Sequence, residues 1–139
     1  MGARTKARRR AVEILYEADI RGIEVGTIAE QRVADRPLGE GSYALRAATG
    51  VASLQPELDA ELADCAEGWD LERMPVVDRN LLRLAAWELR SGIVPAAVVI
   101  DEAVELARQL STDDSPRFVN GILARLAAIQ AERAEEPQS

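Results

Sequence analysis

The chain of 139 residues contains no histidine and only one cysteine, Cys65. Without histidine there is no imidazole general base, no Ser-His or Cys-His pair and no histidine ligand for a metal. A single cysteine cannot form an internal disulfide or a Cys-x-x-Cys site, and Cys65 lies among helix-forming residues, so we expect it in the core. The sequence therefore predicts no enzyme activity, no metal site and no cofactor.

Aromatic residues are also scarce, at 4% of the chain, and no apolar run approaches the roughly 20 residues that span a bilayer. The composition, 47% hydrophobic and 29% charged, is typical of a soluble globular protein. We expect a single domain over residues 1–139, no contact with a membrane, and a location in the reducing cytoplasm.

Apolar residues recur at spacings of three and four along most of the chain, which predicts an all-α fold, a compact bundle of six or seven helices. Val98–Ile100 resembles a short strand, but no second strand is present to pair with it. Pro56 predicts a kink or a break in the third helix. Residues 134–139 are expected to form a frayed tail. The predicted helices include Thr5 to Gly22, a short one capped by Thr27 and Glu30, Ser42 to Cys65, Pro75 to Gly92, Val98 to Leu110, and a last one starting at Ser115.

Charge is distributed unevenly along the chain. The net charge is −7, yet residues 1–10 contain five cations and no acid, whereas the remaining 129 residues contain 12 basic and 24 acidic side chains. Arginine matches phosphate through planar, bidentate hydrogen bonds, so this basic head predicts an anionic partner. The alternative is a solvated arm that only aids solubility. The head cations are Arg4, Lys6, Arg8, Arg9 and Arg10.

Two aromatic residues are candidates for stacking on RNA bases. Tyr16 lies two turns beyond the cations on the same predicted helix, and Phe118 lies beside Arg117 at the start of the last helix. RNA recognition commonly combines unpaired bases with aromatic rings and cations. Each ring has an alternative position in the core, and for Tyr16 the two interpretations are about equally favoured.

Two pairs of neighbouring acids, Asp101–Glu102 and Asp113–Asp114, are candidates for catalytic groups. Carboxylates act as acid and base when their environments differ. Helix starts explain both pairs more simply, because acids are favoured in a first turn and as caps.

The sequence resembles a known family at both ends. The stretch VDRNLLRLAAWELRSGIVPAAVVIDEAVELARQLSTDDSPRFVNGILARLA is similar to the C-terminal half of the transcription antitermination factor NusB family, and ARRRAVEILYEADI is similar to its arginine-rich first helix. Residues 23–68 match mainly in length and pattern.

The resemblance implies two packed helical sub-bundles and a protein that binds the boxA element of ribosomal RNA leaders. It implies a protein partner too, the tenth ribosomal protein of the small subunit, also called NusE, within a modified transcription elongation complex. By the family pattern, that partner contacts an acidic side near Glu72 and Asp78. The same pattern assigns RNA contacts to Arg4, Lys6, Arg8, Arg9, Arg10, Tyr16, Asp114 and Phe118.

Two alternatives remain beside this interpretation, and a third is rejected. An acidic helical adaptor that binds a basic protein without RNA contact fits the net charge. A homodimer is possible, since a second copy would bury the basic head as readily as RNA. A related helical domain occurs fused to ribosomal RNA cytosine methyltransferases, but this chain has no room for the enzyme.

Overall fold

The computed structural model describes residues 2–35 and 41–135, and regular structure there consists of α-helices and one short 3-10 helix. This confirms the all-α prediction, including the helical assignment of Val98–Ile100. The α-helices are α1 (Ala3–Arg21), α2 (Val25–Asp35), α3 (Gly41–Cys65), α4 (Val76–Ser91), α5 (Ala96–Leu110) and α6 (Ser115–Glu135). The 3-10 helix spans Leu71–Arg73.

Two sub-bundles pack together, as predicted. Helices α1, α2 and α3 contact one another, α4, α5 and α6 do the same, and α3 and α4 join the two groups. Gly50 on α3 makes this junction close, because a Cβ atom there would overlap the indole ring of Trp87 on α4. The buried core includes Cys65 as predicted, and burial raises the pKa of its thiol.

Several helix boundaries differ from the prediction. Helix α1 begins at Ala3 with Gly2 as its N-cap, so there is no side-chain cap and Thr5 lies inside the helix, where its hydroxyl donates to Glu102 on α5. Helix α2 begins at Val25, so Thr27 lies inside it. Helix α3 continues through Pro56, so of the predicted kink or break the break does not occur. Helix α6 extends to Glu135, so the predicted tail is helical over its first two residues, and 136–139 lie outside the described part.

Candidate nucleic-acid interface

The first turns of α1 present the basic head at the surface. The side chains of Arg4 and Lys6 are exposed, and those of Arg9 and Arg10 are partly exposed. The first turn contains no acid, so positive side chains lie beside the positive end of the helix dipole. That arrangement is unfavourable for an isolated helix and favourable for binding a phosphate.

Arg8 is the exception, and the prediction that it belongs to the exposed cations is wrong. Its side chain is buried, with the residue 3% exposed, and its Nε donates to the Glu88 carboxylate on α4 at 2.9 Å. The Tyr43 hydroxyl donates to the same carboxylate at 2.6 Å, and Glu102 lies 3.6 Å from Arg8 Nη1. Arg8 therefore links α1 to α4 and α5. The other four cations of the basic head remain available to bind a ligand.

The buried network also positions Arg4. The Arg4 guanidinium lies 3.9 Å from the centre of the Tyr43 ring, a cation–π geometry. Burial, together with the hydrogen bond to Glu88, raises the pKa of Tyr43 to about 12. The phenol therefore remains a donor throughout the physiological pH range, and the ring beneath Arg4 stays fixed.

The turn between α5 and α6 carries Asp114, which is exposed, and leads directly to Phe118. The Phe118 amide donates to the Asp114 carbonyl at 3.2 Å, the first hydrogen bond of α6. A buried carboxylate fixes this turn, since Asp78 accepts from the hydroxyls of Ser111 at 2.6 Å and Ser115 at 2.8 Å.

The burial of Asp78 contradicts the expectation that this residue contacts the protein partner. Asp78 is only 2% exposed, so it does not form part of an acidic surface that contacts a protein. Its position three, four and seven residues before buried Leu81, Leu82 and Ala85 places it on the inward face of α4. Glu72, by contrast, is exposed as a partner contact requires. Asp78 acts on the structure by holding the turn that presents Asp114.

The head and the turn are neighbours in space. Arg9 on α1 donates to Gln109 on α5 at 3.1 Å, close to the end of that helix. Arg108 and Arg117 line a small pocket with Asp114 beyond that end. The structure thus brings Arg9 of the basic head to the end of α5 that leads into the Asp114 turn. It also adds Arg108 and Arg117, which the sequence interpretation did not include.

Phe118 and Tyr16 lie in different surroundings. Phe118 is half-buried against the core, and its ring meets Trp69 edge to face, with centroids 5.4 Å apart. Tyr16 is 39% exposed and lies in an apolar groove with Ile20, Val77 and Leu110. Tyr16 therefore faces a hydrophobic surface, here called the Tyr16 groove, whose lining also includes the charged residues Glu13, Glu17, Arg21 and Arg32.

The acidic side chains of the described residues form neither a metal cluster nor the helix starts that were expected at Asp101 and Glu102. In residues 2–35 and 41–135 there is no cluster of three or more cysteine, aspartate or glutamate side chains able to hold a metal ion. Asp101 and Glu102 lie beyond the first turn of α5, which begins at Ala96, so the predicted helix-start role is wrong for them. Glu102 instead binds Thr5 and Arg8. No helix in the described ranges is long and apolar enough to cross a membrane.

Two joined helical sub-bundles with a cationic helix start define a small all-α protein with a surface suited to an anionic partner. The family model described as the NusB family matches residues 5–128. Because this match covers most of the chain, the protein belongs to the NusB family, whose curated members are transcription antitermination proteins.

Relatives in other bacteria are similar over nearly their full length. The transcription antitermination protein NusB of Saccharopolyspora erythraea is 54% identical over 132 residues, covering 93% of this chain and 89% of the relative. The NusB protein of Salinispora tropica is 51% identical over 132 residues, covering 91% and 96%.

Solved structures show the same fold. NusB of T. maritima superposes with a TM-score of 0.83 at 34% identity, covering 90% of each chain. A structure of the antitermination factors NusB and NusE in complex with double-stranded RNA gives a TM-score of 0.83 at 25% identity, covering 93% of this chain and 98% of that one.

Proposed function

We propose that this protein binds boxA RNA of ribosomal RNA leaders together with NusE, the tenth small-subunit ribosomal protein, and so joins a modified transcription elongation complex. The observation that carries this proposal is the contact between Arg9 and Gln109, which brings the basic head to the end of α5 that leads into the Asp114 turn. The solved complex of a relative with NusE and RNA supports it. The protein acts by binding, as a single domain in the cytoplasm, rather than by catalysis.

The charge distribution explains why a second protein is needed. Four available head cations attract phosphate, but the remaining 129 residues carry twice as many acids as bases and repel it. RNA affinity of the isolated protein is therefore modest. A basic ribosomal protein offsets that repulsion and adds its own phosphate contacts.

The Tyr16 groove suits the protein partner better than it suits RNA. Its apolar side chains, with Tyr16 and Ile20 prominent at the surface, match a hydrophobic anchor. The charged residues in its lining are two acids and two arginines, so the groove has no excess positive charge for phosphate; they are Glu13, Glu17, Arg21 and Arg32. We therefore assign Tyr16 to the NusE contact, with exposed Glu72 adding a long-range charge, and assign RNA to Arg4, Lys6, Arg9, Arg10, Asp114 and Phe118.

A gel-shift titration of boxA RNA with and without NusE tests the proposal. Deleting residues 2–10 is unsuitable, because it removes buried Ala7 and Arg8 and disturbs the fold. The triple variant Arg4→Ala, Lys6→Ala, Arg10→Ala keeps those anchors. Loss of RNA binding with retained NusE binding is the expected result. Unchanged RNA binding contradicts the proposal, and undetectable RNA binding by the wild-type protein with NusE present favours the adaptor without RNA contact.

A further inference from the structure

Trp69 is the most exposed aromatic ring in the described ranges, and the RNA surface assigned above does not include it. It follows Gly68 in the segment between α3 and the 3-10 helix, and it is 57% exposed. Its backbone is held in a turn, since its amide donates to the Ala66 carbonyl at 2.8 Å. A large apolar ring held in this way at the surface costs hydration free energy and offers a contact surface for a ligand.

Phe118 supports the indole from beside it. The two ring centroids lie 5.4 Å apart at an interplanar angle of 69°, an edge-to-face pair. Such a pair occupies only one face of one ring, so a flat surface remains open for a third ring. Gly121 lines the same groove, and because it has no side chain the floor of the groove stays open.

The charges around the groove favour an anionic occupant. Arg117 and Arg125 line it from α6, and Glu67 is the acid in its lining. Arg125 donates to the Cys65 carbonyl at 2.9 Å and lies 3.4 Å from Glu67, so its guanidinium is fixed at the rim and partly neutralised. Arg117 is exposed and lines the Asp114 pocket as well. The groove therefore continues the RNA surface at Arg117.

We propose that Trp69 and Phe118, with Arg117 and Arg125 beside them, form a stacking platform for an unpaired base of single-stranded RNA. This inference rests on the proposed function, because it places the base next to the nucleotides held at the Asp114 turn. A nucleobase offers a flat π-face to the rings, and its phosphates lie within reach of the arginines. An apolar protein segment would use the rings but not the two arginines.

Tryptophan fluorescence of the full-length protein reports directly whether RNA contacts Trp69. The probe is boxA RNA extended by several unpaired nucleotides on either side, and the same RNA annealed to its complement serves as the duplex probe. Single-stranded RNA quenches the emission of Trp69 in the wild-type protein. In Trp69→Phe the half-buried Trp87 remains as an emitter, and we expect the quenching by RNA to be lost. The RNA affinity should be nearly unchanged, because the phenylalanine ring still offers a face for stacking.

Affinity provides the second readout. Trp69→Ala should weaken binding of the single-stranded probe at least about fivefold, the effect of losing one base stack, and leave duplex binding unchanged. Ile93→Ala, a change at an equally exposed apolar residue outside the groove, is the matched control. Melting temperatures of all variants show that the fold is retained.

Three results would overturn the platform. If Trp69→Ala binds like the wild type while Arg10→Ala weakens binding, the platform is wrong and the proposed function stands. An equal loss on the duplex probe also refutes stacking of an unpaired base. If the wild-type protein binds neither probe, even with NusE, both the platform and the proposed function fail.

Discussion

Replacing Arg8 by alanine tests the division of the basic head into one structural cation and four ligand cations. In the folded protein the guanidinium of Arg8 and the carboxylate of Glu88 are both almost completely buried, 2.9 Å apart. The substitution leaves Glu88 with the Tyr43 hydroxyl as its remaining donor among the contacts described above. A neutral hydrogen bond does not compensate for a buried negative charge.

The expected magnitude follows from that burial. Removing one partner of a buried ion pair destabilises a protein by about 3–5 kcal/mol, because the other charge is left unpaired. For a chain of this size each kcal/mol lowers the melting temperature by about 3 °C or more, so a fall of about 10 °C or more is expected. Arg10→Ala removes a partly exposed cation and should change stability by less than about 0.5 kcal/mol.

Urea unfolding followed by circular dichroism measures both variants. The double variant Arg8→Met, Glu88→Gln removes both charges while keeping similar side-chain volumes, and it should recover most of the lost stability. A cost below about 1 kcal/mol for Arg8→Ala would refute the structural role of this residue. It would return Arg8 to the set of candidate RNA contacts.

Three further predictions concern RNA binding at Phe118, NusE binding at Glu72 and the acid unfolding of the protein. Phe118→Ala should weaken RNA binding by about 1–3 kcal/mol and lower the melting temperature less than Arg8→Ala does; the reverse pattern in paired binding and melting experiments would show that the ring serves the core. Glu72→Lys should weaken NusE binding by about 0.5–1 kcal/mol in calorimetry, as expected for a charge at an interface rim, and unchanged affinity would place the interface elsewhere. Burial raises the pKa of Asp19, but hydrogen bonds from Arg79 and Asn80 outweigh it and hold the pKa below its usual value. Its stabilising contribution is therefore present above about pH 4 and is lost as the pH falls further, so acid unfolding of Asp19→Asn should show a smaller pH dependence there; an unchanged profile would contradict this.

The sequence predicted helices well because their apolar periodicity is local information. Val119, Ile122, Leu123 and Leu126 form the buried stripe expected for α6. The prediction that Thr5 caps α1 is wrong, because the helix begins two residues earlier and the Thr5 hydroxyl binds Glu102, which lies 97 residues away in the chain. A tertiary contact of that kind leaves no trace in the local pattern.

The predictions for the site residues also succeed where local sequence pattern decides exposure and fail where tertiary packing decides it. Arg4 and Lys6 are exposed as a charge run predicts, whereas Arg8 and Asp78 are charged residues that lie on buried faces. Helical spacing offered a signal for both, since Arg8 lies three, four and seven residues before buried Ala11, Val12 and Leu15. Trp69 gave no such signal, because its exposure depends on how the segment after α3 meets α6.

The salt dependence of RNA affinity tests whether the exposed cations of α1 bind phosphate. Four phosphate contacts from the exposed head contribute about −2.8 to the slope of log affinity against log salt for single-stranded RNA. Fluorescence anisotropy with boxA RNA, in the presence of NusE, compares the wild type with the double variant Arg4→Ala, Arg10→Ala. Because the contacts of NusE are the same in both proteins, we expect the slope to become shallower by about 1.4 in the double variant. An identical slope for the two proteins would contradict this expectation, because the cations of α1 would then not contact the RNA.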